Sequence, residues 1–522
     1  MLGFEGENAR EKVIVLFTMC FALAMAMLDN TVVNVALPAI NDELEAGLSG
    51  LQWIVDGYVL AFASLLLTGG ILGDKFGRKK VFLTGLAIFT ASSLLCGLSG
   101  STSQLIVARA LQGVGAALLM PGTLSIITVT FPPRERAKAI GLWAGVSGLA
   151  LALGPTLGGY LVEHVGWQSV FFINVPIGIV AFAVAVWVVR ESRSDQARYL
   201  DLPGLAMGTF ALFLATYGLI EANQRGWGDP LILGSLGAAA VLLVLFLMWE
   251  RRNPHAMMPL DYFRIPAFSA GNTVAFCVSL GMFASFFFLS LYMQGIHGYS
   301  PFQAGLRFLP MTLAIVVTAP LAGRYASQHG SRAPMTYGLV LAGGGLLLLG
   351  LTLQTDTSYA WMAPLFLIMG HGMGATMAPM TAAVMNAVGP QRAGLGSAMT
   401  NTSREVGGVL GIALLGTILT TRLESAFLPA IEGLGLSPDR VAAIGEAAGH
   451  GQVDPALLQG IPGEQQAAIA QAFSTAFMDG FHVALVIGGV VLLLGAVVAN
   501  RFIPGRETIE QHHADAEALA VA

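Results

Sequence analysis

The chain is built from apolar runs, each about as long as a bilayer is thick, and few folds fit that pattern. A helix needs about 20 mostly apolar residues to cross the hydrocarbon core. Fourteen such runs can be drawn, at 13–37, 52–72, 81–100, 104–127, 138–161, 170–189, 203–221, 231–249, 268–293, 303–323, 334–353, 360–384, 396–420 and 480–500. Backbone polar groups find no water in lipid, so segments of this kind must be helical. Only 11% of the residues are charged, against roughly 25% in an ordinary soluble domain. The fold class predicted is an all-α polytopic membrane protein. The polar start, Met1 to Lys12, leads into a run too long for a signal peptide, so the first helix is expected to be its own insertion signal. Cys20, Cys96 and Cys277 all lie in apolar runs and read as packing residues, with no disulfide.

The basic residues set the orientation. Lys75, Arg78, Lys79, Lys80, Arg134, Arg136, Lys138, Arg190, Arg193, Arg198, Arg251, Arg252, Arg264, Arg324, Arg332, Arg392, Arg501 and Arg506 fall on one alternating set of loops and on the tail. The opposite set holds only Arg225, Arg422 and Arg440. The positive-inside rule therefore puts both termini in the cytoplasm. The long segment 421–479 is then external. It is rich in Ala, Gly and Pro and reads as short amphipathic helices or as a mobile cap; the Ala-rich stretch Glu464 to Ala476 favours the helices.

The densest charged loop carries Asp74, Lys75, Arg78, Lys79 and Lys80 between two apolar runs. About 250 residues later it has an echo, from Gly323-Arg324-Tyr325 to Gly330-Ser331-Arg332. Met120-Pro121-Gly122-Thr123 is echoed by Ala378-Pro379-Met380-Thr381, and Pro132-Pro133-Arg134-Glu135-Arg136-Ala137 by Gly389-Pro390-Gln391-Arg392-Ala393. Three echoes in one order at nearly one offset indicate two related halves, a common transporter design. Helices one to six match nine to fourteen, and seven and eight are inserted between them. The expected organisation is a cytoplasmic N-terminus (1–12), a six-helix bundle (13–195), two inserted membrane helices (196–255), a second six-helix bundle (256–502) and a cytoplasmic tail (503–522).

Several of these segments resemble one family. Gly73-Asp74-Lys75-Phe76-Gly77-Arg78-Lys79 is similar to the signature loop between helices two and three of the major facilitator superfamily. Leu28-Asp29-Asn30-Thr31-Val32-Val33-Asn34-Val35-Ala36-Leu37-Pro38 resembles the first-helix signature of its fourteen-helix drug:proton antiporter branch. Arg109 with Gln112, Gly113 and Gly115 resembles the fourth-helix motif, and Gly148 with Gly154-Pro155-Thr156-Leu157-Gly158-Gly159 the antiporter motif of helix five. Trp167-Gln168 with Phe172-Ile173-Asn174-Val175-Pro176-Ile177-Gly178 resembles the branch's sixth helix. The resemblance implies the major facilitator fold, with two six-helix bundles and two extra helices between them.

The scarce charges inside the membrane carry the candidate chemistry. Asp29 lies midway through the first apolar run, where a carboxylate costs about 2.5–3.5 kcal/mol on insertion scales. It reads either as a proton carrier, the role the resemblance implies, or as an acid that only hydrogen-bonds neighbouring helices. Arg109 shares one helix face with Gln112, Gly113 and Ala116. By the resemblance it works with Asp29 in proton transfer; the plainer reading is an arginine anchored to backbone carbonyls. Asp56, with Trp53 and Tyr58, offers a counter-charge and aromatic faces to a lipophilic cation, or else forms part of an interfacial aromatic belt. Gln112, on the Arg109 face, is added as a substrate contact, and so are Phe286 and Met373, because aromatic and methionine side chains suit varied apolar ligands. Gly73, Asp74, Gly77, Arg78 and Arg324 read as an inner gate whose contacts, such as Arg78 to a carboxylate in another cytoplasmic loop, close in one state and break in another, or else as charges that only fix the topology. Gly154, Pro155 and Gly158 are a packing device, small residues that let helices approach. Arg404 and Glu405 are adjacent and need not pair.

No phosphate-binding loop, metal-ligand spacing or nucleophile triad stands out. With these absences the resemblance implies not an enzyme but an exporter without cofactor or metal, driven by the proton gradient and working on lipophilic, cationic drugs by alternating access in the inner membrane. Its partners are the small-molecule substrate, protons and the lipid bilayer, with no nucleic acid. It is expected to be a monomer, with an accessory periplasmic protein left open. The alternatives are a dedicated exporter of one metabolite, siderophore or lipid, and a non-transporting sensor or scaffold.

Overall fold

A computed structural model of the protein describes residues 9–194, 201–253, 256, 258–449 and 455–505. The described residues are helical, with no strand. The first half runs through α1 (Ala9–Leu44), α2 (Gly47–Phe76), α3 (Arg78–Gly97), α4 (Thr102–Thr130), α5 (Pro133–His164), the single turn α6 (Ser169–Phe172) and α7 (Asn174–Val188). The inserted pair is α8 (Leu202–Arg225) and α9 (Pro230–Arg252). The second half has α10 (Pro266–Val278), α11 (Ala284–Leu291), α12 (Pro301–Arg307), α13 (Leu309–His329), α14 (Arg332–Thr352), α15 (Tyr359–Val388), α16 (Ala393–Glu432), α17 (Pro438–Gly449) and α18 (Gly463–Phe502).

Every one of the fourteen apolar runs lies largely on helix. Eleven helices among the described residues are long and apolar enough to cross a membrane. Two of the other three runs, 138–161 and 360–384, lie on the long helices α5 and α15. The run at 268–293 is broken by π-helical turns at Ser279–Phe283 and Tyr292–Ile296, so no single piece is long enough.

The repeat seen in the sequence is also a repeat of contacts. Gly154 and Gly158 let α5 lie directly against Thr31 and Val32 of α1, and α5 continues as α-helix through residue 155. Gly407 and Gly411 let α16 lie against Phe276 and Leu280 of α10 in the same way. Between the halves, Gly70 of α2 meets Gly394 of α16, and Gly323 of α13 meets Ala137 of α5. A Cβ at Gly70 or Gly323 would strike the facing backbone. These two seams join the bundles at their basic ends. The charged loop and its echo also share geometry: each is a helix, one glycine with positive φ (Gly77 at 113°, Gly330 at 87°), then a helix.

The inserted helices lie to one side. The α8 helix packs against both α2 and α16, while α9 packs mainly on α8 and leaves most of its surface outward. Asp201 caps α8 by accepting from Gly204 N–H, and also accepts from Trp249 Nε1 and Asn253 Nδ2, which fastens the inner ends of α8 and α9 together. The segment expected to be external, 421–479, is folded as helix over most of its described length. There α16 extends to Glu432, α17 follows, and α18 starts at Gly463. Phe427, Ile431, Ile444, Ile469 and Phe473 are buried in the same apolar cluster as the second bundle. Most of the expected N-terminus (1–12), most of the tail (503–522) and part of each boundary of the inserted pair lie outside the described residues. Helix already begins at Ala9, and Lys12 pairs there with Glu135 of α5 at 2.9 Å.

Candidate functional site

Asp29 sits past the midpoint of α1, among side chains that α3, α4 and α7 bring to it. Arg109 Nη1 donates to its Oδ2 at 2.6 Å, and Gln112 Nε2 and Asn174 Nδ2 each donate to its Oδ1 at 2.8 Å. Gln112 also donates to Ser93 Oγ at 2.7 Å and accepts from Arg109 Nη1 at 2.6 Å. Arg109 Nε donates to the Ile54 carbonyl at 3.1 Å, and its guanidinium lies 4.3 Å from the centre of the Tyr58 ring. Asp29 and Arg109 are each 1% exposed. This is a buried ion pair whose remaining hydrogen-bonding capacity is met by named partners, the condition under which such a pair is tolerated at all. The face shared by Arg109 and Gln112, one helical turn apart, aims both at α1.

The residues expected to contact substrate are spread over several environments. Gln112 belongs to the Asp29 network, with both ends of its amide engaged. Tyr58 is buried beneath Arg109. Asp56 and Trp53 are only partly buried. They look toward α8, where Trp53 lies 6.4 Å from the Tyr217 ring and Glu221 is an electrostatic neighbour of Asp56. Glu221 is in turn paired with Arg225 at 2.8 Å. In the second bundle, Phe286 lies 5.6 Å from Phe308 at the edge of the core, while Met373 is buried within it. Glu405 of α16 is an electrostatic neighbour of Tyr58, so it faces the first bundle.

At the end that carries the basic loops the halves are joined by polar contacts. Asp74 accepts from the backbone N–H groups of Gly394 (2.9 Å) and Leu395 (3.0 Å) at the start of α16. Arg78 Nε and Nη2 donate to Asp74 Oδ1 at 2.9 and 2.6 Å, and Nη2 also reaches the Gln391 carbonyl at 3.4 Å. A carboxylate at a helix N-terminus is favoured by the free N–H groups and the helix dipole. Arg78 thus finds its acid in its own loop rather than in another. Arg136 Nη1 donates to Asn386 Oδ1 at 2.7 Å, and Ser397 Oγ to the Pro121 carbonyl at 2.9 Å. Arg324, expected at this gate, is exposed on the surface instead. The reason is local: the position three residues before the turn glycine is Asp74 in the first loop but Ser327 in the echo, and Ser327 donates to the Arg324 carbonyl of its own helix.

Ser93 was not singled out by sequence, and Asn174 appeared only within the sixth-helix motif, although each is a polar residue within an apolar run. Nothing in one dimension shows that they face Asp29. The same holds for Gly394 and Leu395, which act through backbone N–H groups and leave no side-chain signal.

Residues 19–412 match the family model described as Major Facilitator Superfamily. The tetracenomycin C resistance and export protein of Streptomyces glaucescens is 36% identical over 493 residues, covering 93% of this chain and 90% of that protein. A methylenomycin A resistance protein of Bacillus subtilis (strain 168) is 37% identical, covering 78% of this chain and 87% of its own length. Multidrug resistance protein Stp of Mycobacterium tuberculosis (strain ATCC 25618 / H37Rv) is 33% identical, covering 81% and 79%. Among solved structures, the proton:xylose symporter XylE aligns with a TM-score of 0.61 at 12% identity over 95% of this chain and 97% of its own. The human organic anion transporter MFSD10 aligns with a TM-score of 0.57 at 16% identity, over 94% and 99%. At these identities the structural likeness speaks for the fold alone.

Proposed function

The chain belongs to the Major Facilitator Superfamily, and from that premise we propose that it is a proton-driven antiporter that exports lipophilic, cationic drugs across the cytoplasmic membrane by alternating access. It crosses the membrane fourteen times as two six-helix bundles (13–195 and 256–502) around an inserted pair (196–255), with both termini inside. It is a multi-pass transporter, not an enzyme. It works as a monomer on the proton gradient without a cofactor. The relatives support drug export: they bear the names of resistance and export proteins.

The observation that carries the coupling is the Asp29 network. Each partner contact made to the Asp29 carboxylate comes from a donor, namely Arg109, Gln112 and Asn174. A proton arriving on Asp29 removes the charge that Arg109 faces and brings an O–H in among donors. Part of the network must then break, freeing α1 and α4 to shift against each other. Loss of the proton on the inner side restores it. The side chains Asp56, Trp53, Phe286 and Met373 contribute counter-charge and apolar surface to the substrate, and Asp74 with Arg78 closes the inner mouth in the state described. Inward proton movement is worth about 2.3 kcal/mol per 100 mV of membrane potential. When a monovalent cation leaves for each proton, that contribution cancels and the pH gradient alone drives export.

Everted vesicles holding a preset pH gradient test this. Addition of lipophilic cations should dissipate the gradient in vesicles carrying the parent protein and not in those carrying Asp29→Asn. A gradient untouched by any cation, or fully coupled export by Asp29→Asn, would refute the reading. A dedicated exporter of a single natural product is the second reading, favoured because two of the relatives are named for one antibiotic each. A broad drug panel separates the two.

A further inference from the structure

The α3 helix, which carries Arg78 as its first residue, has no capping side chain of its own. Its N-cap position is Gly77, so the N–H groups of its first turn must find acceptors elsewhere. They find them 112 residues later. Glu191 Oε1 accepts from Lys79 N–H at 3.2 Å, and Oε2 from Lys80 N–H at 3.2 Å. The fit explains Gly77 twice over. Its φ of 113° suits glycine, and a Cβ there would lie 2.6 Å from Glu191 Oε1. On either side of Glu191 the same short stretch of chain grips the loop. Lys79 Nζ donates to the Val186 carbonyl at 2.6 Å, Arg78 N–H to the Ser192 carbonyl at 2.9 Å, and Ser194 N–H to the Asp74 carbonyl at 2.8 Å.

We propose that Glu191 is a positioning residue of the inner gate: it caps α3 from outside the helix and thereby sets where Arg78 holds Asp74 against the start of α16. The chain of contacts runs from the Glu191 carboxylate to the first turn of α3, from Arg78 to Asp74, and from Asp74 to the N–H groups of Gly394 and Leu395. Glu191 itself touches no residue of the second bundle in these contacts. It acts by fixing the loop from behind, and its charge is favoured by the α3 dipole. Without it, the free N–H groups of α3 compete for the nearest carboxylate, and the gate-closed position of Arg78 loses its definition.

The inference rests on reading this face as the inner gate, and the test keeps the two apart. A reporter Ala382→Cys, buried where α15 meets the first bundle, is placed in a full-length protein with Cys20, Cys96 and Cys277 replaced by serine. Everted vesicles are then labelled with an impermeant maleimide. Glu191→Ala should raise the labelling rate about two- to fivefold, the scale expected for a lost charged cap. Glu191→Gln, which keeps the shape and loses the charge, should raise it less. Glu191→Asp should return it toward the parent, a rescue that a purely structural role of side-chain bulk would not give. Labelling unchanged in Glu191→Ala or Glu191→Gln, with Asp74→Asn raising it, overturns the inference and leaves the gate standing. Labelling unchanged in Asp74→Asn overturns the gate, and the inference with it.

Discussion

The two bundles share helix order, glycine contacts and loop geometry, yet they bury different chemistry. Among the described residues, the charged side chains buried from solvent lie in the first bundle or the inserted pair: Asp29, Asp74, Arg78, Arg109, Arg136, Asp201, Glu221 and Glu250, while Arg404 and Glu405 of α16 are partly buried. The second bundle buries hydroxyls and amides but no charge to that degree, and its core is apolar and rich in methionine, with Met282, Met311, Met335, Met369, Met373 and Met380. Ser93 of the Asp29 network and the buried Leu346 each stand sixteen residues past the turn glycine of their half. One duplicated scaffold therefore holds two kinds of interior. A charge held in a low-dielectric core is costly unless it is paired. An interior of soft, flexible thioethers adapts to different shapes. The division suggests that coupling is seated in the first bundle and substrate tolerance in the second.

The largest expected effect that would break this comparison is on Asp29. Asp29→Asn should reduce proton-coupled efflux to background in everted vesicles, while no single polar substitution in the core of α15 does so. Next comes the ion pair itself. Arg109→Met should cost about 3–5 kcal/mol in unfolding of the purified protein, because it strands a buried carboxylate. The double variant Asp29→Leu with Arg109→Met should recover most of that loss while remaining uncoupled. A double variant that is still unstable would place the network's value in structure rather than in coupling. At the inner end, Asp74→Asn weakens charge-assisted bonds of about 1.5–3 kcal/mol each, and should appear as faster maleimide labelling at Ala382→Cys. Smaller again is Leu346→Ser, which gives the second bundle the hydroxyl of the first without its partners. It should destabilise by about 1–3 kcal/mol and leave the proton dependence of export unchanged. The smallest is Met373→Leu, costing under about 1.5 kcal/mol and altering the order of preferred drugs but not the coupling.

Much of the architecture was legible in one dimension. Apolar runs, the bias of Lys and Arg between loops, and the repeated Gly and Pro signatures are properties of the string itself. Reading them required no knowledge of which helix touches which. Asp29, Arg109, Asp74 and Arg78 were legible because a charge in or beside an apolar run is conspicuous. Gln112 was assigned to the substrate, since an amide on the Arg109 face has no visible partner until α1 and α3 are placed. Arg324 was assigned to the gate, since an echo of charge looks like an echo of role until the missing acid at Ser327 is seen beside the turn.

The sequence alone determined that the chain is a duplicated set of membrane helices with its basic loops on one side, because bilayer thickness and charge act on each segment separately. Only the tertiary structure decided that Asp29 is met by Arg109, Gln112 and Asn174, with Ser93 bonded to the last two, and that Asp74 and Glu191 serve helix ends 320 and 112 residues away. Those pairings depend on how each helix is rotated about its axis and where it crosses its neighbours. Rotation and crossing are set by the packing of all the helices together, so no single stretch of sequence contains them.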